Sequence, residues 1–141
     1  MAPETLDDLR DLAARFDVFF VDQFGVLHDG SAPYPGAVAA LTALKAAGKK
    51  IVLVSNSGKR ASQNEKRLLG LGFEAGTWDS FLSSGEVAWR KFAGELGGER
   101  LAAGTRCLLL SRGKDYSAVD GLDLELVEDG ARAEVVLLSG S

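Results

Sequence analysis

Asp22 lies at the end of an apolar run that favours a β-strand. Residues 18–21 are aromatic or β-branched, and Gly25 follows three positions after the aspartate. This pattern predicts a buried strand that delivers a carboxylate to the carboxyl edge of a sheet. Ligands of open α/β sheets bind in the crevice beyond that edge, so Asp22 is a candidate functional residue. The alternative is an aspartate that only caps the following turn.

A second polar cluster ends the next predicted strand. The run 50–54 is mostly apolar, and Ser55-Asn56-Ser57-Gly58 follows it directly. A predicted helix over 37–47 joins the two strands. Parallel strands joined by a helix form a βαβ unit, in which both following loops lie at the same sheet edge. We therefore expect Asp22 and Ser55 to be spatial neighbours that face a shared anion pocket.

The rest of the chain reads as alternating helices and strands, which predicts an α/β fold. In the helix that follows Ser83 or Ser84, Val87, Ala88, Phe92 and Leu96 are expected to form a buried stripe. The strand over 134–138 is also expected to be buried. The remaining predicted elements are helices at 6–15 and 60–69, a possible short helix at 114–119, and strands at 80–83, 106–110 and 123–127.

Composition sets limits on the function. The chain has 141 residues, 46% of them hydrophobic, and a net charge of −4. That charge argues against a general binder of nucleic acid or anionic membrane, because such proteins need an excess of Lys and Arg. Cys107 is the single cysteine, so no intramolecular disulfide or cysteine metal cluster is expected, and its apolar neighbours predict a core position. No signal peptide or membrane-spanning run is evident, which predicts a cytoplasmic protein.

Two motifs in this order resemble the haloacid dehalogenase (HAD) superfamily of phosphohydrolases. Asp22 with Gly25-Val26-Leu27 resembles its first motif, and Val54-Ser55-Asn56-Ser57 resembles its second. Asp29-Gly30, Pro35-Gly36-Ala37 and the Ser-Asn-Ser variant are similar to the class IIA, NagD-like branch, whose cap domain is inserted after the second motif. The resemblance covers about residues 17–95. It implies a Rossmannoid parallel sheet with helices on both faces, a core over 1–96 and the beginning of an α/β cap over 97–141.

The resemblance also implies a role for each motif residue. Asp22 would be the nucleophile that forms an aspartyl phosphate. Mg²⁺ would bind the Asp22 carboxylate and the backbone carbonyl of Phe24. Ser55, with the backbone amides near Asn56 and Ser57, would hold the transferring phosphoryl group of a small phosphorylated substrate.

One departure from the family pattern concerns the general acid. The phosphatases of the family place a second aspartate two positions after the first, where Phe24 stands here. Phenylalanine cannot protonate a leaving group, and the loss of a general acid costs about 10²- to 10⁴-fold in rate. His28 is a candidate substitute, with a structural or solvent-facing role as the alternative. Dehalogenases of the superfamily also carry an aromatic residue here, so carbon–halogen chemistry stays open.

A second departure concerns the later motifs. The family has a lysine and one or two acidic residues after the cap, and nothing after residue 95 matches them at a strand end. Lys114-Asp115 and Glu128-Asp129 read as solvated loop residues. The sequence therefore predicts a fragment or a truncated product of a longer protein, and makes the enzyme assignment uncertain.

Three functional hypotheses follow. The first is a HAD-like, Mg²⁺-dependent phosphate monoester hydrolase, weak or inactive in this chain. The second is a non-catalytic scaffold that binds a phosphorylated ligand or a protein partner. The third, a generic nucleotide-binding domain, lacks a glycine-rich or P-loop motif after any strand. Lys59-Arg60 could add positive charge near a bound phosphate or be an ordinary exposed pair. An unpaired strand edge at 134–138 would allow a homo-oligomer.

Overall fold

The computed structural model describes residues 8–139. Within these residues, four α-helices and six strands occur. Helices and strands alternate up to residue 111, and the last two strands follow with only 3₁₀ turns between them, which confirms the α/β class. The helices are α1 (Leu9–Arg15), α2 (Ala37–Ala46), α3 (Ala61–Gly70) and α4 (Ser84–Phe92). The strands are β1 (Val18–Asp22), β2 (Lys50–Ser55), β3 (Ser80–Ser83), β4 (Thr105–Ser111), β5 (Leu124–Leu126) and β6 (Val135–Ser139), with short 3₁₀ turns at Arg112–Lys114 and Gly130–Arg132. The first two residues of the helix predicted over 6–15 lie outside the described residues.

The first sheet has the strand order β1-β2-β3. Strands β1 and β2 are parallel, with Val18 opposite Lys50 and Asp22 opposite Val54. Helix α2 makes the connection between them, as a parallel pair requires. The register places the carboxyl ends of both strands at the same edge, so the predicted βαβ unit is confirmed.

The start of β2 is fixed by Asp79, which precedes β3. Its carboxylate accepts hydrogen bonds from the Ile51 amide at 2.7 Å and from Lys45 Nζ at 2.8 Å. The hydrogen bond from Lys45, followed by the one from the Ile51 amide, lowers the pKa of Asp79. Asp79 thereby connects the last turn of α2 to the first residues of β2, which helps to set the register of the strand that leads to Ser55.

The second sheet has the order β5-β4-β6, and β4 is parallel to both neighbours. Cys107 in β4 lies opposite Leu126 in β5 and Val135 in β6. Its side chain is fully buried, which confirms the predicted core position.

The chain forms two compact units. Within the described residues, one comprises 8–54 with Lys66–Phe81, and the other comprises Ser55–Glu65 with 82–139. The predicted division at residue 96 stays a prediction. Each unit has its own buried apolar residues: Leu27, Leu41, Leu44, Ile51, Leu53, Leu68, Phe73 and Phe81 in the first, and Cys107, Ala118, Val119 and Val127 in the second.

The short helix predicted at 114–119 is absent from the structure. The Asp115 carboxylate accepts a hydrogen bond from the Ser117 amide at 3.0 Å, and residues 117–120 form a turn. An aspartate that bonds the amide two residues ahead offers the backbone an alternative to a helix, so this local bond explains the error.

The stripe predicted for α4 is also wrong. The helix ends at Phe92, so Leu96 lies beyond it and is exposed, as is Val87. Gly85 is the only buried residue of α4, because the closest packing of this helix occurs at its first turn.

The strands predicted to be buried are only partly so. In β1, Phe20 is 71% exposed and Val18 is 48% exposed, and in β6, Leu138 is 76% exposed. Both are edge strands of their sheets. Side chains of a strand alternate between two faces, and within the described residues only one face of each strand is covered.

Burial makes Cys107 a probe of unfolding. Its side chain is fully buried, and burial raises the pKa of the thiol. The thiolate is the reactive form, so we expect native protein to react with a thiol reagent about 100-fold more slowly than urea-unfolded protein. A labelling time course with and without urea measures this ratio. Equal rates in both states would contradict the burial of Cys107.

Candidate active site

The loop after β1 folds around one backbone carbonyl. The oxygen of Gln23 accepts hydrogen bonds from the amides of Val26, Leu27 and His28 at 3.3, 2.8 and 3.2 Å. Gly25 makes the tight turn possible, because its φ of +81° is a conformation that other residues rarely adopt. The glycine of the first motif is therefore needed for the shape of the loop.

Asp22 is the last residue of β1, and its side chain is exposed at the carboxyl end of the strand. Its Oδ1 accepts a hydrogen bond from the Gln23 amide at 2.7 Å. A carboxylate with one oxygen held by the backbone is restrained in orientation, and exposure makes it accessible to a solute. These two properties suit a nucleophile or a cation ligand.

His28 is a buried structural residue. Its side chain is 1% exposed, and Nδ1 accepts a hydrogen bond from the Gly30 amide at 3.0 Å. Burial lowers the pKa of His28, and the positive charge of Arg67 lowers it further. A buried neutral imidazole is a poor proton donor to a substrate, so the structural role predicted as an alternative is the one that the structure supports.

Phe24 occupies the position of the family's general acid and is 64% exposed. Its ring contacts His28 edge-on, with the ring centroids 6.0 Å apart. A β-carbon at Gly30 would lie 3.3 Å from Phe24 Cε2, so the ring also lies close to the Gly30 backbone. Phe24 therefore covers the histidine and supplies no acidic group.

The loop after β2 begins with a chain of serine-to-amide hydrogen bonds. Ser55 Oγ accepts from the Ser57 amide at 3.2 Å, and Ser57 Oγ accepts from the Lys59 amide at 3.2 Å. The serines thus order the loop itself, and the amide of Ser57, which the resemblance assigns to phosphate, bonds Ser55 in this structure.

Arg60 is not the exposed basic residue that its position suggests. Its guanidinium forms two hydrogen bonds with the Glu86 carboxylate, the shorter at 2.6 Å, and lies 3.8 Å from the centroid of the Trp89 ring. Trp89 in turn donates from Nε1 to the Asp120 carbonyl at 2.7 Å. Lys59 is more exposed and lies 3.4 Å from Asp115. Both basic residues have acidic partners, which weakens the case for a phosphate contact by Arg60.

The oxygen atoms near Asp22 are of the type that binds Mg²⁺, but they are too few to complete its coordination. The Asp22 carboxylate and the Phe24 carbonyl are the hard oxygen ligands that this ion prefers. Among residues 8–139, however, no group of three or more His, Cys, Asp or Glu side chains could hold a metal ion. The two motif oxygens would therefore need water or further chain to complete the coordination.

The structure puts the sequence-predicted residues at the predicted strand ends. Asp22 closes β1, Ser55 closes β2, and Asp22 is in register with Val54. That the Asp22 and Ser55 side chains face each other stays a prediction. Sequence reasoning missed the contribution of residues 83–86, which bond the loop at 56–60. A serine followed three residues later by a glutamate is a capping signal that could have pointed to them.

Comparison with protein families supports the motif assignment. The family described as haloacid dehalogenase-like hydrolase matches residues 19–125, a range that contains both motif loops. The chain belongs to this family. Similarity to a 4-nitrophenylphosphatase from Schizosaccharomyces pombe further supports the class IIA, NagD-like branch of HAD hydrolases.

Several solved structures resemble the chain. A haloacid dehalogenase-like hydrolase from Brucella suis matches 98% of it with a TM-score of 0.78 and 30% identity. A glycerol phosphate phosphatase from Mycobacterium tuberculosis, in complex with calcium, matches 92% with a TM-score of 0.65 and 26% identity. A 4-nitrophenylphosphatase from Thermotoga maritima matches 90% with a TM-score of 0.65, and its 20% identity supports the fold alone.

This HAD chain spans less than half the length of these relatives. It covers 48%, 36% and 46% of the three solved chains. A 4-nitrophenylphosphatase from Schizosaccharomyces pombe is 36% identical over 56 residues, which are 40% of this chain and 19% of that protein. Within the described residues, the helices are too short or too polar to cross a membrane.

The lowered pKa of His28 predicts a pH-dependent stability. The folded state disfavours protonation of His28. The contribution of this residue to the free energy of unfolding is therefore complete above about pH 6.5, and it is lost as the pH falls through the pKa of the folded state. The slope of the free energy of unfolding against pH can reach about 1.4 kcal/mol per pH unit. Since the chain has one histidine, His28→Asn should remove the slope between about pH 5 and 7.

Urea unfolding at several pH values measures this dependence. The comparison uses the slope of the free energy of unfolding against pH, because the variant will also lose stability at every pH. A flat profile in the unchanged protein, or an equal slope in the variant, would contradict a buried neutral His28.

Proposed function

We propose that the chain carries the nucleophile and phosphate-binding loop of a phosphate monoester hydrolase that acts on small phosphorylated substrates. The observation that carries the proposal is the parallel register of β1 and β2. The carboxyl ends of both strands, which are followed by or end in Asp22 and the serine loop, lie at the same sheet edge. The relatives named as phosphatases support this reaction class, and they favour it over the binding scaffold. The cytoplasmic location and a homo-oligomer stay predictions from the sequence.

In this proposal a carboxylate oxygen of Asp22 attacks the substrate phosphorus. The P–O bond to the alcohol breaks, and the alkoxide leaves with a proton from water, because Phe24 has none to give. Water then attacks the phosphorus of the aspartyl phosphate, which restores the Asp22 carboxylate and releases inorganic phosphate. Restraint of Oδ1 by the Gln23 amide at 2.7 Å supports the role, since it limits the rotation of the nucleophile.

Ser55, Asn56 and Ser57 would donate hydrogen bonds to the phosphoryl oxygens. Such donors are most effective when the protein fixes them before the substrate arrives. The hydrogen bonds from the Ser57 amide to Ser55 and from the Lys59 amide to Ser57 support a loop that is ordered in this way.

Mg²⁺ would be held by the Asp22 carboxylate and the Phe24 carbonyl. When bound, it would reduce the repulsion between the anionic substrate and the anionic nucleophile. Since the described residues offer few acidic ligands, we expect weak binding, with several water molecules retained on the ion.

The nucleophile assignment predicts that Asp22→Asn removes hydrolysis. We expect a loss of about 10³-fold or more in kcat for 4-nitrophenyl phosphate with Mg²⁺, because an amide cannot form the acyl phosphate. Stability should change little, since the side chain is exposed. Asp17→Asn is the matched control, because Asp17 precedes the opposite end of β1 and its side chain is 94% exposed. Equal activity of Asp22→Asn and the unchanged protein would reject the assignment.

The missing general acid predicts a gain of function. Phe24→Asp should raise kcat by up to about 10²- to 10⁴-fold, because it places a carboxylic acid where the family has one. The gain should be largest for alkyl phosphates, whose leaving groups need protonation most, and smaller for 4-nitrophenyl phosphate. Phe24→Asn is the control, since it reduces the bulk without adding an acid. No increase over that control for either substrate would favour the non-catalytic scaffold.

A further inference from the structure

Four consecutive residues at the start of α4 contact the loop that follows β2. We call Ser83, Ser84, Gly85 and Glu86 the α4 clamp. Ser83 Oγ donates a hydrogen bond to the Lys59 carbonyl at 2.6 Å, and Ser84 Oγ donates one to Asn56 Oδ1 at 2.9 Å. The Gly85 amide donates to the Ser57 carbonyl at 3.0 Å. The Glu86 carboxylate accepts hydrogen bonds from Arg60 and from the Ala61 amide. The clamp therefore restrains most of the residues between Asn56 and Ala61.

Gly85 permits the closest of these contacts. A β-carbon at this position would overlap the Gly58 carbonyl oxygen and lie 2.7 Å from the Lys59 carbonyl oxygen. Backbone atoms cannot move aside as the end of a flexible side chain can. A residue larger than glycine would therefore displace the loop. The backbone of Gly85 is helical, a conformation that any residue can adopt, so the nearby carbonyl oxygens alone require glycine here.

Glu86 holds the other end of the loop. Its carboxylate accepts from the Ala61 amide at 3.1 Å, so a side chain of α4 caps the amino terminus of α3. The hydrogen bond from Arg60 lowers the pKa of Glu86 and keeps the pair charged. Because both side chains are mostly buried and the guanidinium lies on Trp89, the contact is rigid.

Ser84 sets the orientation of Asn56. Since Ser84 Oγ bonds the amide oxygen of Asn56, the amide NH₂ is the part of that side chain left to donate to an anion. The contact is exposed, so the hydroxyl of Ser84 can be removed with little effect on packing.

We infer that the α4 clamp positions the loop at 56–60 for phosphate binding, with Gly85 and Ser84 as positioning residues that need not touch the substrate. The inference rests on the proposed function. Donors misplaced by about 1 Å can cost a factor of about 10² in rate, so a displaced loop should weaken phosphate binding even in a folded protein.

The main test compares Gly85→Ala with Gly130→Ala. Gly130 is a matched control, because a β-carbon there would meet only Leu108 Cδ2, at an ordinary 3.7 Å. We expect the dissociation constant for inorganic phosphate with Mg²⁺, measured by calorimetry, to rise about 10-fold or more in Gly85→Ala and to stay unchanged in Gly130→Ala. Urea unfolding of each variant shows whether it is folded.

A second pair keeps the test decisive if Gly85→Ala does not fold. Ser84→Ala removes the hydroxyl that holds Asn56, and Ser84→Thr restores it. We expect Ser84→Ala to weaken phosphate binding about 3-fold or more and to shift the amide resonances of residues 56–58, while Ser84→Thr behaves like the unchanged protein. Rescue by threonine is a result that a general loss of stability would not produce.

The outcomes separate the two proposals. If the unchanged protein binds phosphate and folded Gly85→Ala or Ser84→Ala binds it equally well, the positioning inference is wrong and the proposed function stands. If the unchanged protein binds no phosphate, the proposed function fails, and the inference that rests on it fails with it.

Discussion

Parallel pairing of β1 with β2 is the constraint on which the candidate site depends. Asp22 lies opposite Val54, so a carboxylate and the start of a serine-rich loop lie at the ends of neighbouring strands of one sheet. A shift of one residue would turn every side chain of β1 to the other face. The hydrogen bonds from Ile51 and Lys45 to Asp79 help to hold β2 in place, so a surface carboxylate far from the chemistry contributes to the register.

The two motif loops are ordered by different means. The loop after Asp22 is ordered by its own residues, since the Gln23 carbonyl accepts hydrogen bonds from three amides of the loop and Gly25 supplies a positive φ. The loop after Ser55 is ordered partly from outside, by Ser83 and Ser84 at the junction of β3 and α4, which are more than twenty positions away in sequence. A local turn can be read from sequence, whereas support from a distant helix requires the folded chain.

The first loop also shows how one substitution changes the chemistry that a fold can perform. Phe24 stands where the family's phosphatases carry an acid, and its exposed ring lies against the buried His28. Burial keeps that histidine neutral, so it does not replace the missing acid. The loop therefore keeps a carboxylate at the end of β1 and lacks an acidic side chain two positions later.

The sequence by itself determined the α/β class, the positions of most strands and helices, the family and the strand-end location of Asp22 and Ser55. These features follow from local apolar periodicity and from motif residues, which nearby sequence specifies. Only the tertiary structure decided that His28 is buried, that Arg60 pairs with Glu86, that Phe20 and Leu138 are exposed, and that Gly85 must lack a side chain. Each of these depends on contacts between residues distant in sequence or on which face of a strand the rest of the chain covers, and neither leaves a pattern that can be read along the chain.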